Sequence, residues 1–321
     1  MSSGPNPRPS SLARTIRLGT RGSVLALAQA NWVADRLRAH HPHCQVELVI
    51  IKTTGDKIHH IPLAEVGGKG LFIKEIEEAL LAGEVDLAVH SLKDMPAEIP
   101  PGLILDATPP REDCRDVLIS PQYQSLMDIP AGGRIGTGSL RRRAQVLHLR
   151  PDLEVVGIRG NVDTRLRKMA ELGLDGLILA AAGLNRLGLP QVPRWPLPEA
   201  QMLPAVGQGA LGLEVREDDD DMRQAIAGLD DAPTRIAVTA ERGFLARLEG
   251  GCKVPLAALG RLQDGGLTLE ALISDPEGKR LLREKLTGPP QEAEDLGHGL
   301  AERLLAQGGA QILAELYGRP V

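Results

Sequence analysis

One pattern occurs twice in this chain, and it constrains the fold more than any other feature. An apolar run ends in a turn of glycine and small hydroxyl residues, and a helical period follows. Leu12–Leu18 leads into GTRGS (19–23), and RIGTGS (134–139) closes on Gly-Thr-Gly-Ser. After the first turn, Leu27, Ala30, Ala34 and Leu37 recur at helical spacing until His40–Pro42; after the second, a helix is expected over Leu140–Leu149. Each helix then gives way to a second apolar run, VELVII (46–51) or LEVVGI (153–158). A further helix follows in each unit, through Phe72, Ile76, Ala79 and Leu80 or through Val162, Leu166 and Met169. A third strand then closes each unit, DLAVH (86–90) or GLILAAAG (176–183). Strand, helix, strand, helix, strand predicts parallel α/β packing, so two like α/β domains are expected. The unbroken apolar run VELVII predicts a strand buried on both faces.

Two proline-rich segments, ATPPRED (107–113) and PQVPRWPLPEAQMLPAVGQG (190–209), link the two units. Two crossings imply that the chain returns to its first domain before leaving it, by analogy with two-lobed binding proteins. The expected domains are therefore 13–109 with 204–227, then 110–203, then 228–321. REDDDD (216–221) reads as a solvated boundary and not as a cation site. Beyond it, a helix through TRIAVTAERGFLARLEG precedes VPLAALGRL and LTLEALIS, joined by the hairpin signal QDGG (263–266). The amphipathic tail EDLGHGLAERLLAQGG completes a smaller α+β domain.

Composition removes several function classes. Aromatic residues are 2% of the 321, too few for a base-stacking platform. A net charge of −5 gives no overall attraction to nucleic acid or anionic membrane, and neither partner is expected. No segment approaches the roughly 18 apolar residues of a membrane helix, and MSSGPNPRPSSLARTIRLG lacks a secretory apolar run. Three widely spaced cysteines fit reduced thiols, so a cytoplasmic chain is expected. The histidines of AHHPHC (39–44) and of HH (59–60) are too irregular for a metal site, and none is expected. Cys114 reads as a surface or half-buried thiol without a role. The long connection over 57–68, KIHHIPLAEVGG, is expected to form a lid over a cleft.

The two turns carry the chemistry. A strand-to-helix turn of small residues points free N–H groups and the positive end of a helix dipole outward, which makes an anion site. Arg141, Arg142 and Arg143 sit in the first turn of the second such helix, where cations oppose the dipole. Anion binding explains them better than a solvated basic face. Arg21, Arg159 and Arg165 add charge at other strand ends, where open α/β sheets bind ligands. Neither a P-loop nor a GxGxxG at a strand-to-helix turn is present, and dispersed arginines suit carboxylates better than one phosphate. Asp94, in SLKDMP after the third strand, reads as a loop residue or as a carboxylate that balances a cation or moves a proton. Cys252, in LEGGCKVP, admits three readings: a buried structural cysteine, a nucleophile or a covalent attachment point.

HSLKDMP, VGGKGLFIKE, GTGSLRR, RGNVDTRL, LPAVGQGALG and LEGGCKVP together resemble the hydroxymethylbilane synthase (porphobilinogen deaminase) family, from about Thr15 onward. The resemblance implies two domains like those of type II periplasmic binding proteins, plus a C-terminal α+β domain carrying the cofactor cysteine. It implies a dipyrromethane cofactor held through the sulfur of Cys252. It further implies that porphobilinogen loses ammonia to give a cation, and that four rounds of coupling build a linear tetrapyrrole released as hydroxymethylbilane. On the family's pattern Asp94 is the catalytic carboxylate. Ser91, Lys93, Thr137, Ser139, Arg141 and Arg142 would hold the cofactor. Arg21, Ser23, Lys69, Phe72, Arg159, Arg165, Arg186 and Gln208 would hold porphobilinogen or the growing chain, in a monomer. The chain departs from the pattern at Glu65, where a lysine is usual, at Gly138, often a serine, and at Lys253, where some members have glutamine. A two-lobed anion-binding or sensor protein without chemistry is the rival reading, and a cysteine-nucleophile transferase a more distant one.

Overall fold

The computed structural model describes residues 15–57, 73–248 and 254–318. β1 (Thr15–Thr20) turns at GTRGS into α1 (Val24–His40), whose N-cap Ser23 accepts the Ala26 N–H at 3.2 Å. β2 (Gln45–Ile50), the single turn α2 (Thr54–Lys57), α3 (Lys74–Leu81), β3 (Leu87–Ser91) and β4 (Leu103–Ala107) follow. The chain then crosses to a second set: β5 (Asp116–Ile119), β6 (Arg134–Gly136), α4 (Leu140–Leu149), β7 (Glu154–Val156), α5 (Val162–Glu171), β8 (Gly176–Ala180), α6 (Ala181–Arg186) and β9 (Arg194–Pro196). β10 (Leu211–Arg216) and α7 (Asp220–Ile226) come next, and α8 (Ala232–Arg247) leads into β11 (Leu256–Gln263), β12 (Gly266–Ser274) and β13 (Leu281–Gly288). Two helices, α9 (Ala293–Leu304) and α10 (Ala310–Tyr317), complete the described chain.

The first sheet has the order β2-β1-β3-β10-β4, and the second β7-β6-β8-β5-β9. In each, three parallel strands adjoin one antiparallel strand that brings the chain back from elsewhere, β10 in the first sheet and β5 in the second. This shared order makes the two domains alike, as the repeated pattern predicts. It puts the carboxyl ends of the parallel strands, with both GTxGS-like turns, where such sheets bind ligands. The third sheet is the antiparallel meander β11-β12-β13. Its first turn is the expected hairpin: Asp264 (φ 51°) and Gly265 (φ 78°) both take the left-handed conformation that a two-residue turn of this hand requires.

Two expectations are corrected. VELVII does not form a doubly buried strand, because β2 lies at the sheet's edge, and Ile50 is 56% exposed. GLILAAAG is a strand only to Ala180; Ala181–Arg186 turns helical, in keeping with the high helix propensity of alanine.

Candidate active site

β3 runs out at Ser91, and a single 3-10 turn, Leu92–Asp94, carries Lys93 and Asp94 beyond the sheet. Leu92 and Met95 are buried on either side, so the intervening pair is left facing outward. The backbone fixes this turn from two directions. The Leu92 N–H donates to the Ala210 carbonyl at 3.0 Å and the Met95 N–H to that of Leu92 at 3.2 Å. Gly207, at φ 67°, packs so closely that a Cβ there would lie 3.1 Å from Leu92. Beside the turn is a pocket lined by Arg21 and Ser23 from the GTRGS turn, Gln29 from α1, Ile76 from α3, and His90, Ser91 and Asp94. Gln29 is buried in α1 because its Nε2 donates to Ser91 Oγ at 2.8 Å.

The second domain supplies the facing groups. Thr137 Oγ1 accepts the Ser139 N–H at 3.2 Å, and Ser139 caps α4 by accepting the Arg142 N–H at 3.4 Å. Arg141 and Arg142 are not a solvated face, since they are 5% and 6% exposed. They already hold an anion, and it is Asp116. Arg141 Nη1 donates to Asp116 Oδ2 and to the Leu203 carbonyl, both at 2.7 Å. Arg142 donates to Asp116 Oδ1 through Nε at 3.0 Å and Nη2 at 2.8 Å, and its Nη1 donates to the Ile178 carbonyl at 3.0 Å. Burial alone would raise the Asp116 carboxyl, but the two guanidinium groups outweigh it and hold it well below the usual carboxylate range. Gln208 shares this cluster, its Nε2 donating to Asp116 Oδ1 at 3.0 Å and to the Cys114 carbonyl at 2.7 Å. Arg141 Nε and Gln208 Oε1 are buried without a hydrogen-bond partner among the described residues.

Charges from both domains meet around Lys93 and Asp94. Lys93 keeps some access to solvent within the cleft, yet protein crowds it. That desolvation pushes its ammonium down, with Asp94 opposing and Arg142 reinforcing. Arg165 of α5 lies within electrostatic reach of Arg142, Asp94 and Arg159, and burial pushes it down to about 10. Its Nε donates to the Gly160 carbonyl at 2.7 Å, but it makes no ion pair among the described residues. Arg186, at the end of α6, is likewise pushed to about 10 by burial; it donates to the Gly209 carbonyl at 2.8 Å and stands apart from the Asp94 group. Arg159 is exposed at the start of α5, and its carbonyl accepts from Lys168 Nζ at 3.3 Å. A desolvated guanidinium without a carboxylate partner is an unfavourable arrangement unless a ligand completes it. The donor set therefore fits a group bearing several carboxylates, as dipyrromethane does.

Lys69, Phe72, Glu65, Cys252 and Lys253 lie outside the described residues, as does nearly all of the expected lid. Cys114 is half-buried, and burial raises its thiol. Arg143 turns from the cleft to Glu277 at 2.9 Å. Gly138 has a reason of its own: a Cβ there would lie 2.6 Å from the Ile158 carbonyl. The sequence reading missed Asp116 and Gln29. One aspartate among the acids of REDCRD carries no local mark of its partners, and a glutamine inside a helical period looks like surface.

A family model described as "Porphobilinogen deaminase, dipyromethane cofactor binding domain" matches residues 16–224, and one for the "Porphobilinogen deaminase, C-terminal domain" matches 235–306. The porphobilinogen deaminase of Syntrophotalea carbinolica is 56% identical over 301 residues, 94% of this chain and 96% of that protein. That of Geobacter sulfurreducens is 55% identical over 306 residues, covering 95% and 96%. A probable amino-acid ABC transporter extracellular-binding protein from Bacillus subtilis aligns over 67% of this chain and 89% of its own, at 9% identity and a TM-score of 0.40. So low a score decides nothing.

Proposed function

The chain belongs to the porphobilinogen deaminase family, and from that premise we propose how its residues carry the reaction. The enzyme is a deaminating transferase of porphyrin biosynthesis, hydroxymethylbilane synthase, with a dipyrromethane cofactor. It joins four porphobilinogen molecules and releases the linear tetrapyrrole hydroxymethylbilane. When bound, dipyrromethane supplies the free pyrrole α-carbon from which the chain is extended.

Asp94 is the catalytic carboxylate. It stabilises the cation formed when porphobilinogen loses ammonia, and it receives the proton that the new ring sheds. Lys93, Ser91, Thr137, Ser139, Arg141 and Arg142 hold the cofactor's carboxylates, with Asp116 fixing the two guanidinium groups. Arg21, Ser23, Arg159, Arg165, Arg186 and Gln208 hold the incoming or growing pyrroles. Lys69 and Phe72 belong to the same wall of the cleft on the family's pattern. Cys252 is the attachment point, which takes up the third of the readings its sequence allows.

One observation supports this reading above the others. Arg165 of the second domain feels Asp94 of the first, yet lacks a carboxylate of its own among the described residues. A substrate that gains two carboxylates with every ring would supply what is missing. The domains are drawn at 13–109 with 204–227, at 110–203 and at 228–321, in keeping with the return of β10 to the first sheet. We take the enzyme to act as a cytoplasmic monomer that binds no nucleic acid. Cys114 is a free thiol among the described residues, and no described helix is long and apolar enough to cross a membrane.

Intact-protein mass spectrometry tests the tether. One dipyrromethane adduct is expected on the parent and none on Cys252→Ser, while substituting Cys44 or Cys114 leaves it in place. Full activity without an adduct would overturn the assignment.

A further inference from the structure

Beneath the Asp94 pocket are three buried titratable side chains to which the reaction as described gives no part. Glu77 comes from α3, His90 from β3 and Glu214 from β10, and they are 9%, 5% and 0% exposed. His90 Nε2 lies 2.9 Å from Glu214 Oε2, within hydrogen-bond distance. Glu77 Oε1 and Glu214 Oε1 are buried without a hydrogen-bond partner among the described residues. His90 lines the same pocket as Asp94, and so does Ile76, the neighbour of Glu77. His90 therefore joins the trio to the place where positive charge develops.

Burial, reinforced by Glu214 and Glu78 and opposed by His90, pushes the Glu77 carboxyl up to about 7. Among the described residues these are the charged groups that act on Glu77: Glu214 from β10, His90 from β3 and Glu78 on its own helix. Arg242 of α8 acts on Glu214 from the far side and donates to the Ala97 carbonyl at 2.7 Å.

We propose that Glu77 is a positioning residue for the condensation. Its ionised carboxylate, within electrostatic reach of His90 and Glu214, deepens the negative field under the Asp94 pocket and so stabilises the cation formed as ammonia leaves. Glu77 touches no reacting atom, and the inference rests on the role given to Asp94 above. The sign is fixed by the chemistry. Glu77 gives its proton to solvent as pH rises through neutrality, so turnover rises with it.

The experiment follows kcat against pH for the cofactor-loaded parent, Glu77→Gln, Glu214→Gln and His90→Asn, with adduct mass recorded for each. In parallel, the Glu77 carboxyl is titrated by 13C NMR in glutamate-labelled protein. The parent should show a rising limb near neutrality that Glu77→Gln lacks, with turnover at pH 8 lower by on the order of tenfold. Glu214→Gln removes a like charge and should move the limb to lower pH; His90→Asn removes a favourable one and should move it higher. Each displacement should be roughly one unit, and the carboxyl signal should follow it. A merely structural role would lower turnover without moving the limb. Limbs of equal position and height in all four proteins, or a Glu77 carboxyl already ionised at pH 5, would overturn the proposal. If Glu77→Gln fails to fold, the parent's carboxyl titration and the two displaced limbs still decide. Normal turnover in Asp94→Asn would instead strike at the reading of the pocket itself.

Discussion

A carboxylate about 4 Å from a pyrrolic cation gains on the order of 4 kcal/mol at an effective dielectric of 20. On the role proposed for it, Asp94 provides that gain from a turn held by Ala210 and Gly207 and facing charged groups of the other domain. Asp94→Asn should keep its dipyrromethane adduct and lose roughly a hundredfold to a thousandfold in turnover, while Asp94→Glu retains more. Single-turnover kinetics with the adduct verified by mass would check this, and near-normal rates in the Asn variant would remove the role. The place of Asp94, on a turn directly after a strand, was legible because it ends a specific motif. Asp116 was not, for its partners are remote along the chain: Arg141 is 25 positions away and Gln208 is 92. Sequence showed cations gathered at one helix start, and the fold adds the buried anion that holds them.

Elements were legible where a local rule governed them and less so where neighbours did. Ser23, Ser139 and Asn161 cap their helices as small polar residues ahead of an apolar period should. Whether VELVII lay inside a sheet or at its edge depended on the strand order, which an apolar run does not encode. The contact of α8 with α9 was equally hidden. Gly243 and Gly297 bring the two backbones together: a Cβ on Gly243 would lie 2.6 Å from the Glu294 carbonyl, and one on Gly297 would lie 2.6 Å from the Phe244 nitrogen. Glycine inside a helix costs about 1 kcal/mol against alanine, so its presence is a sign of such crowding. Gly297→Ala should accordingly destabilise the protein by about 1–3 kcal/mol despite its better helix propensity. Thermal unfolding would register this as a Tm lower by several degrees, with the adduct retained. An unchanged Tm would show that the helices can part without strain.

The three sheets share no strand, so the molecule is joined by side chains and backbone at a few points. One of these is Glu241 of α8, which is fully buried. Its carboxylate accepts from Arg111 Nη1 at 2.5 Å and Nη2 at 3.1 Å, from the Gly207 N–H at 2.7 Å and from the Gly260 N–H at 2.9 Å. One group thus ties the crossing after β4, the segment returning to β10 and the first strand of the third sheet to one helix. Gly207 is also the residue packed on the Asp94 turn, so this joint supports the site as well as the fold. Glu241→Gln keeps the shape and removes the charge, which leaves Arg111 with its side chain only 12% exposed and uncompensated. Loss of one partner from a buried pair costs about 3–5 kcal/mol, and denaturant unfolding should show a loss of that size together with slower turnover. Arg111→Met combined with Glu241→Leu should recover much of the stability, since two apolar side chains can fill the site once both charges are gone. Turnover should not recover with it, because Gly207 would still lack its acceptor. A Gln variant as stable as the parent would mean that the joint is held by packing, and that the pair is incidental to it.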